Sequence, residues 1–155
     1  MIKIKKNPNS DTRTTSKSVS FEDVQEANNM HISDVNHIME WLSNYIKNRG
    51  LTHDYTKKSQ EKLYYDNFLS TINTGTDFTK SEWYQMHIKM ERHHLLVNCP
   101  DDVNLIDVLE MIVDCTCAGL TRSGKVRPME IDNDILRKAI DNTVELIKSV
   151  VEVEE

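Results

Sequence analysis

Val103-Asn-Leu-Ile-Asp-Val-Leu-Glu-Met-Ile-Val-Asp-Cys-Thr-Cys-Ala118 repeats apolar residues with the period of a helix, and Ile106, Leu109, Ile112 and Val113 supply its buried sides. Gly119 stands where a left-handed cap closes such a helix, and Pro100 with Asp101-Asp102 punctuates the chain just before it. Asp107, Glu110 and Asp114 recur at i, i+3 and i+7, which stacks three carboxylates along one stripe. An acidic stripe beside an apolar one needs a cation nearby, so this stretch bears on both fold and chemistry.

The flanking segments continue the helical pattern. Between about Ser33 and Asn48, apolar residues recur as Val35, Ile38, Met39, Leu42, Tyr45 and Ile46, with Gly50 placed to end the helix and His37 on the edge of the stripe. A second helix is expected from near Thr52, carrying His53, Asp54 and Lys57 in its first turns before Leu63, Tyr64 and Phe68 pack inward. Asn73-Thr-Gly-Thr76 reads as a loop. A third helix opens at Thr79-Lys-Ser-Glu82, a capping-box pattern, and sets His87, Glu91 and His94 on one face beside Trp83, Met86 and Met90. The last runs from about Asn133 to Val151, with Ile135, Ala139, Thr143, Leu146 and Val150 inward.

Four glycines, three prolines and no sustained alternation of apolar and polar residues make this an all-α chain. Its length of 155 residues suits one domain, a helical bundle of about five or six helices over residues 21–155. Residues 1–20 are expected to form a flexible, polar and basic arm, since Ser, Thr, Asn and Lys cannot repay the entropy of ordering.

The net charge is −6, yet residues 1–20 carry +4, five Lys/Arg against Asp11, and residues 101–155 carry −7, six Lys/Arg against thirteen Asp/Glu. The body lacks the basic stripe that nucleic-acid binding requires. No apolar stretch approaches the roughly 20 residues that cross a bilayer, and Cys99, Cys115 and Cys117 make no ordinary disulfide framework. A cytoplasmic protein with reduced thiols is expected, with no membrane partner; a homo-oligomer is compatible with the sequence.

Six histidines fall between residues 31 and 94. Neutral imidazole and ionised carboxylate together bind divalent Mn, Fe, Co or Zn and suit a site that also holds an oxygen nucleophile. Burying several such groups without a partner ion costs several kcal/mol per charge. His31 lies off the pattern and reads as an ordinary surface or hydrogen-bonded residue. A zinc site from His93, His94, Cys99, Cys115 and Cys117 lacks the usual Cys-x2-Cys spacing. Arg122, Lys125 and Arg127 read first as solvent-facing loop charges, with Arg122 and Lys125 kept as lesser candidates for substrate contact.

His37, then His53-Asp54-Tyr-Thr-Lys57, then His87, then His93-His94, then Asp114 resembles the order of elements in the HD-domain metal phosphohydrolase superfamily. The His-Asp-x-x-Lys element with a later His and a His pair looks like the cyclic-dinucleotide-cleaving HD-GYP branch, although Leu95-Leu-Val-Asn-Cys-Pro100 replaces its Gly-Tyr-Pro signature. With Arg49-Gly-Leu-Thr, Arg92-His-His94, Asn104-Leu-Ile-Asp-Val-Leu-Glu-Met-Ile-Val-Asp114 and Asp141-Asn-Thr143, residues 31–145 also resemble a small phage and bacterial family of HD-like proteins of unassigned function.

The resemblance implies an all-α fold and a site for divalent metal ions, Mn, Fe, Co, Mg or Zn, two in number. It implies His37, His53, Asp54 and Asp114 as core ligands, with Asp54 the bridge, and His87, His93 and His94 as ligands that complete a second or third metal. Lys57, one turn after Asp54, would touch a phosphate oxygen. Glu110 is a ligand, a general base or the residue that fixes a His tautomer, and Asp107 has the same ambiguity. The expected function is hydrolysis of a nucleotide or a cyclic or signalling nucleotide by a metal-activated water. The alternatives are a phage-derived protein that binds and sequesters a nucleotide through its metal, and a helical interaction protein with a structural metal.

Overall fold

The computed structural model describes residues 1–154. Along the chain lie β1 (Ile2–Lys5), α1 (Phe21–Thr52), α2 (Tyr55–Ser59), α3 (Glu61–Thr74), α4 (Glu82–Met90), α5 (Leu105–Ser123), α6 (Asn133–Val150) and β2 (Val151–Glu154). The fold class is all-α, as the helical periodicity predicts. No helix among the described residues is long and apolar enough to cross a membrane.

The chain packs as two compact units, one of Met1–Lys47 with the chain from Val144 onward, the other of Asn48–Thr143. In the first, β1 and β2 pair in parallel, Ile2 opposite Val151 and Ile4 opposite Val153. Lys3 and Glu154 form an ion pair at 2.5 Å. The expected arm is thus structured at its start: Ile2-Lys-Ile-Lys5 alternates, and Val151-Glu-Val-Glu154 matches it in both apolar residues and opposite charge. Beyond it, Asn7 accepts from the backbone N–H of Asn9 and caps a short 3-10 turn. Along α1 only Ala27 is buried, while Val35, Met39 and Ile46 of the expected apolar stripe are exposed.

The second unit holds a core of Leu95, Val103, Val108, Met111 and Ala139. Each large apolar side chain buried there stabilises the fold by about 1.5–3 kcal/mol. Ala139 and Thr143 of α6 are buried as expected, and Thr143 Oγ1 accepts from the backbone N–H of Leu105 at 2.9 Å.

Helix α5 begins two residues later than the sequence pattern predicts and runs past Gly119. Asn104 opens it with a reciprocal capping box: its side chain accepts from the backbone N–H groups of Ile106 and Asp107, and the Asp107 carboxylate accepts from the Asn104 N–H. Gly124, at φ 69°, is the true left-handed cap. The burial is also rotated. Ile106 is buried, but Leu109, Ile112 and Val113 are exposed, while Val108, Met111 and the fully buried Asp107 face inward. Cationic partners make the acidic stripe the inner one.

Two other helix ends differ from expectation. Gly50 lies inside α1, which continues to Thr52; the cap of α4 is Ser81, whose hydroxyl accepts from the Tyr84 N–H, while Asp77 caps a 3-10 turn containing Thr79. A better-placed acceptor nearer the first apolar residue prevailed.

Gly119 has a packing role. A Cβ there would lie 2.7 Å from the Lys125 carbonyl oxygen and 3.2 Å from Val126 Cα, both backbone atoms, whereas nothing lies within 4 Å of a Cβ at Gly50. Gly119→Ala is therefore expected to lower stability by about 1–3 kcal/mol and Gly50→Ala to raise it by about 0.5–1 kcal/mol, both read from urea unfolding. Equal effects would refute the packing argument.

Candidate metal centre

The second unit also contains every residue of the candidate site. Its origin is the break between α1 and α2. Asp54 takes φ 54°, ψ 34°, the one non-glycine residue with positive φ among those described. This left-handed conformation is uncommon for an L-residue and best tolerated by Asp and Asn. Asp54 is also the N-cap of α2, but its side chain makes no capping hydrogen bond. The carboxylate turns toward histidines instead.

Its two oxygens face different partners. Oδ2 lies 3.3 Å from His53 Nε2, and that same nitrogen lies 3.4 Å from Asp114 Oδ1. Oδ1 lies 3.5 Å from His87 Nε2 and 3.6 Å from His93 Nε2. His94 Nε2 is 2.8 Å from His87 Nε2. Lys57, on α2, contacts Oδ2 through its ammonium.

Three groups of donors able to hold a metal ion result: Asp54 with His87, His93 and His94; His53 with His93 and Glu110; and His53 with Asp54 and Asp114. In each, the donor atoms lie within 4.8 Å of one another. Ligands each about 2.1 Å from one ion stand about 3.0–3.4 Å apart, close to these separations. Asp54 Oδ1 and His93 Nε2 are buried without a hydrogen-bond partner, while His93 Nδ1 lies 3.3 Å from Glu110 Oε1 without forming a well-aligned bond. Unpaired buried polar atoms are rare, and a cation among these lone pairs would satisfy Oδ1 and Nε2 together.

An outer layer fixes the rings. Thr56, fully buried, donates its hydroxyl proton to Glu91 Oε1 at 2.6 Å, so at 2.7 Å it accepts from His87 Nδ1–H. This network assigns the His87 tautomer and leaves its Nε2 lone pair facing Asp54 and His94. The His87 ring stacks on Trp83 at 4.5 Å. His53 Nδ1 lies 3.0 Å from Glu110 Oε1, and Arg49 donates to Glu110 Oε2 at 2.7 Å. Glu110 is thereby placed to fix the His53 tautomer.

The electrostatics follow from burial and charge. Burial opposes ionisation of Asp54 and Glu110, yet neighbouring cations prevail. The Lys57 contact and charge, with His53 and His87, lower the Asp54 pKa, while His93, His53 and Arg49 hold Glu110 down to about 2. Burial pushes His94 down to about 4, with the charges of His93 and His87 adding to it, and lowers His87 as well. His93 moves upward because Glu110, Asp54 and Asp114 outweigh its burial. Neutral His87 and His94 beside anionic Asp54 have the protonation that metal ligation needs.

His53, Asp54, His87, His93, His94 and Asp114 are thus brought together in the second unit. His37 is exposed on α1, in the other unit, and no donor group among the described residues includes it. Asp107 is no ligand, because its oxygens are committed to Arg49, Arg92 and the Asn104 N–H. No donor group among the described residues includes a cysteine. Lys125 and Arg122 are exposed, and Arg122 lines a cavity that also reaches Asp114. The sequence reading assigned no role to Thr56 or Arg92. A threonine inside a His-Asp-x-Thr-Lys segment was the available signal for Thr56, but its partner Glu91 is 35 residues away.

Fold and site define an all-α protein with a histidine–carboxylate centre able to hold metal. Residues 20–152 match the model of the family of unknown function DUF5662, and the chain belongs to that family. No curated protein and no solved structure matches it.

Two outcomes are expected. Asp107→Asn weakens both guanidinium contacts and should lower stability by about 3–5 kcal/mol, measured by urea unfolding in chelator; a change below 1 kcal/mol would contradict the buried network. His94 and His87 take up protons more readily unfolded than folded. In chelator, stability should therefore fall as pH drops from the ordinary histidine value of 6.5 toward about 4. His94→Gln should flatten that slope, and an unchanged slope would rule out this origin.

Proposed function

We propose that this protein is a metal-dependent phosphohydrolase acting on a nucleotide or a cyclic or signalling nucleotide. The observation that carries the reading is the Asp54 carboxylate, turned away from its capping role so that Oδ2 faces His53 and Asp114 while Oδ1 faces His87 and His93. A carboxylate with a separate donor set at each oxygen suits a bridge between two divalent ions. On this reading His53, Asp54 and Asp114 would hold one ion, and Asp54, His87, His93 and His94 would hold the other. Such ions make water a nucleophile at neutral pH and neutralise charge growing on a phosphoryl oxygen.

The chain's own residues prepare that chemistry. Glu110 and the Thr56–Glu91 pair take up the Nδ1 side of His53 and His87, so that Nε2 of each ring is aimed inward. Lys57 sits on the open side of Asp54, half-buried, where its ammonium can meet a phosphoryl oxygen of the substrate. Resemblance to HD-domain phosphohydrolases supports the assignment through the same residues, without His37.

The test is product chromatography after incubating the protein and Mn(II) with nucleoside mono- and triphosphates and cyclic mono-, di- and trinucleotides. Turnover of one class, abolished by chelator, is expected. Asp54→Ala should lose both metal and turnover, and Lys57→Ala should keep metal while losing turnover by about 10- to 1000-fold. Full metal content in Asp54→Ala would overturn the site; binding without turnover across the panel would favour a nucleotide-sequestering protein.

A further inference from the structure

A cavity of about 460 Å³ opens beside Asp114 in the second unit. One wall is a stripe of α5 at i, i+4 and i+8: Asp114, Ala118 and Arg122. Positions 114 and 122 are about 12 Å apart along the helix axis, with the small Cys115, Ala118 and Gly119 lining the cavity between them. Leu96, Arg127, Pro128, Met129 and Glu130 also line it. Gly119 brings the Lys125–Val126 backbone close against α5, so the loop after the helix forms part of the enclosure.

The ends of this cavity differ in charge. At one end Asp114 belongs to the donor groups of the candidate metal centre. Arg122 lies toward the other end, and neither it nor Arg127, which also lines the cavity, makes an ion pair with any described carboxylate, including Glu130 in the same lining. Arg49 and Arg92, by contrast, are each committed to Asp107. Guanidiniums recognise phosphate through paired donors, and an apolar middle accepts a flat ring.

We propose that the substrate is an organic phosphate with a second, remote anionic group. Its reacting phosphate would lie at the metal centre that Asp54 and Asp114 help to form, a base-sized apolar body packs against Leu96 and Met129, and the second anion is held by Arg122 and Arg127. This inference rests on the phosphohydrolase reading for the direction in which the substrate lies. It separates nucleotides phosphorylated at two positions from simple monophosphates.

The test is isothermal titration of the Mn(II)-loaded full chain with adenosine 3′,5′-bisphosphate and with adenosine 5′-monophosphate, using wild type and the double variant Arg122→Ala/Arg127→Ala. Both positions are exposed, so the variant's thermal melt should match wild type. Wild type should bind the bisphosphate at least about 10-fold more tightly, and the double variant should bind the two nucleotides equally. Equal binding by wild type, a preference that survives in the double variant, or no binding of either nucleotide would overturn the proposal. A preference that depends on the arginines, in a protein that hydrolyses nothing, would support this anion site and sink the phosphohydrolase reading alone.

Discussion

Two guanidiniums, from Arg49 near the end of α1 and Arg92 after α4, meet on the buried carboxylate of Asp107. The same carboxylate closes the capping box that starts α5. Three segments distant in sequence are thereby tied at one charged point, and the histidines lie on those segments or next to them. A buried carboxylate held by two arginines is costly to break and does not by itself show net stabilisation. Its consequence here is geometric: α5 presents its acidic stripe inward, with Glu110 and Asp114 toward His53 and His93.

The centre is then built in two layers. The inner layer is Asp54 with the imidazole nitrogens and Asp114. The outer layer, Glu91, Thr56, Glu110 and Arg49, holds ring tautomers and carries compensating charge. The left-handed backbone at Asp54 connects the layers, since it sends the carboxylate to the histidines while α2 proceeds directly to Thr56 and Lys57. A conformation of this kind persists where surrounding contacts over-determine it, and here Lys57 and the His53, His87 and His93 rings surround it.

Membership in DUF5662 covers almost the whole chain, so the constellation is a property of the chain that the family model spans rather than of an appended segment. Much of the rest is less committed. Along α1 and on the outer side of α5, apolar residues such as Met39, Ile112 and Val113 are exposed, and the small unit core rests on few large side chains. The polar network is accordingly a large part of what specifies the second unit.

The sequence alone determined the helical class, because apolar spacing of three and four residues is local, and it pointed to most of the side chains that meet at the candidate centre, because His-Asp and His-His pairs are adjacent in the chain. It also carried the β1–β2 match, in alternations too short to stand out from a polar arm. What tertiary structure decided was direction. The apolar spacing of α5 pointed Leu109, Ile112 and Val113 inward, but partners from Arg49 and Arg92 reversed the preference, and no local pattern records a cation 15 or 58 residues away. Helix periodicity put His37 on the edge of a buried stripe, and the chain left it exposed. The role of Thr56 likewise exists only once Glu91 and His87 are brought to its hydroxyl, for a hydrogen bond is fixed by distance in space and not by spacing along the chain.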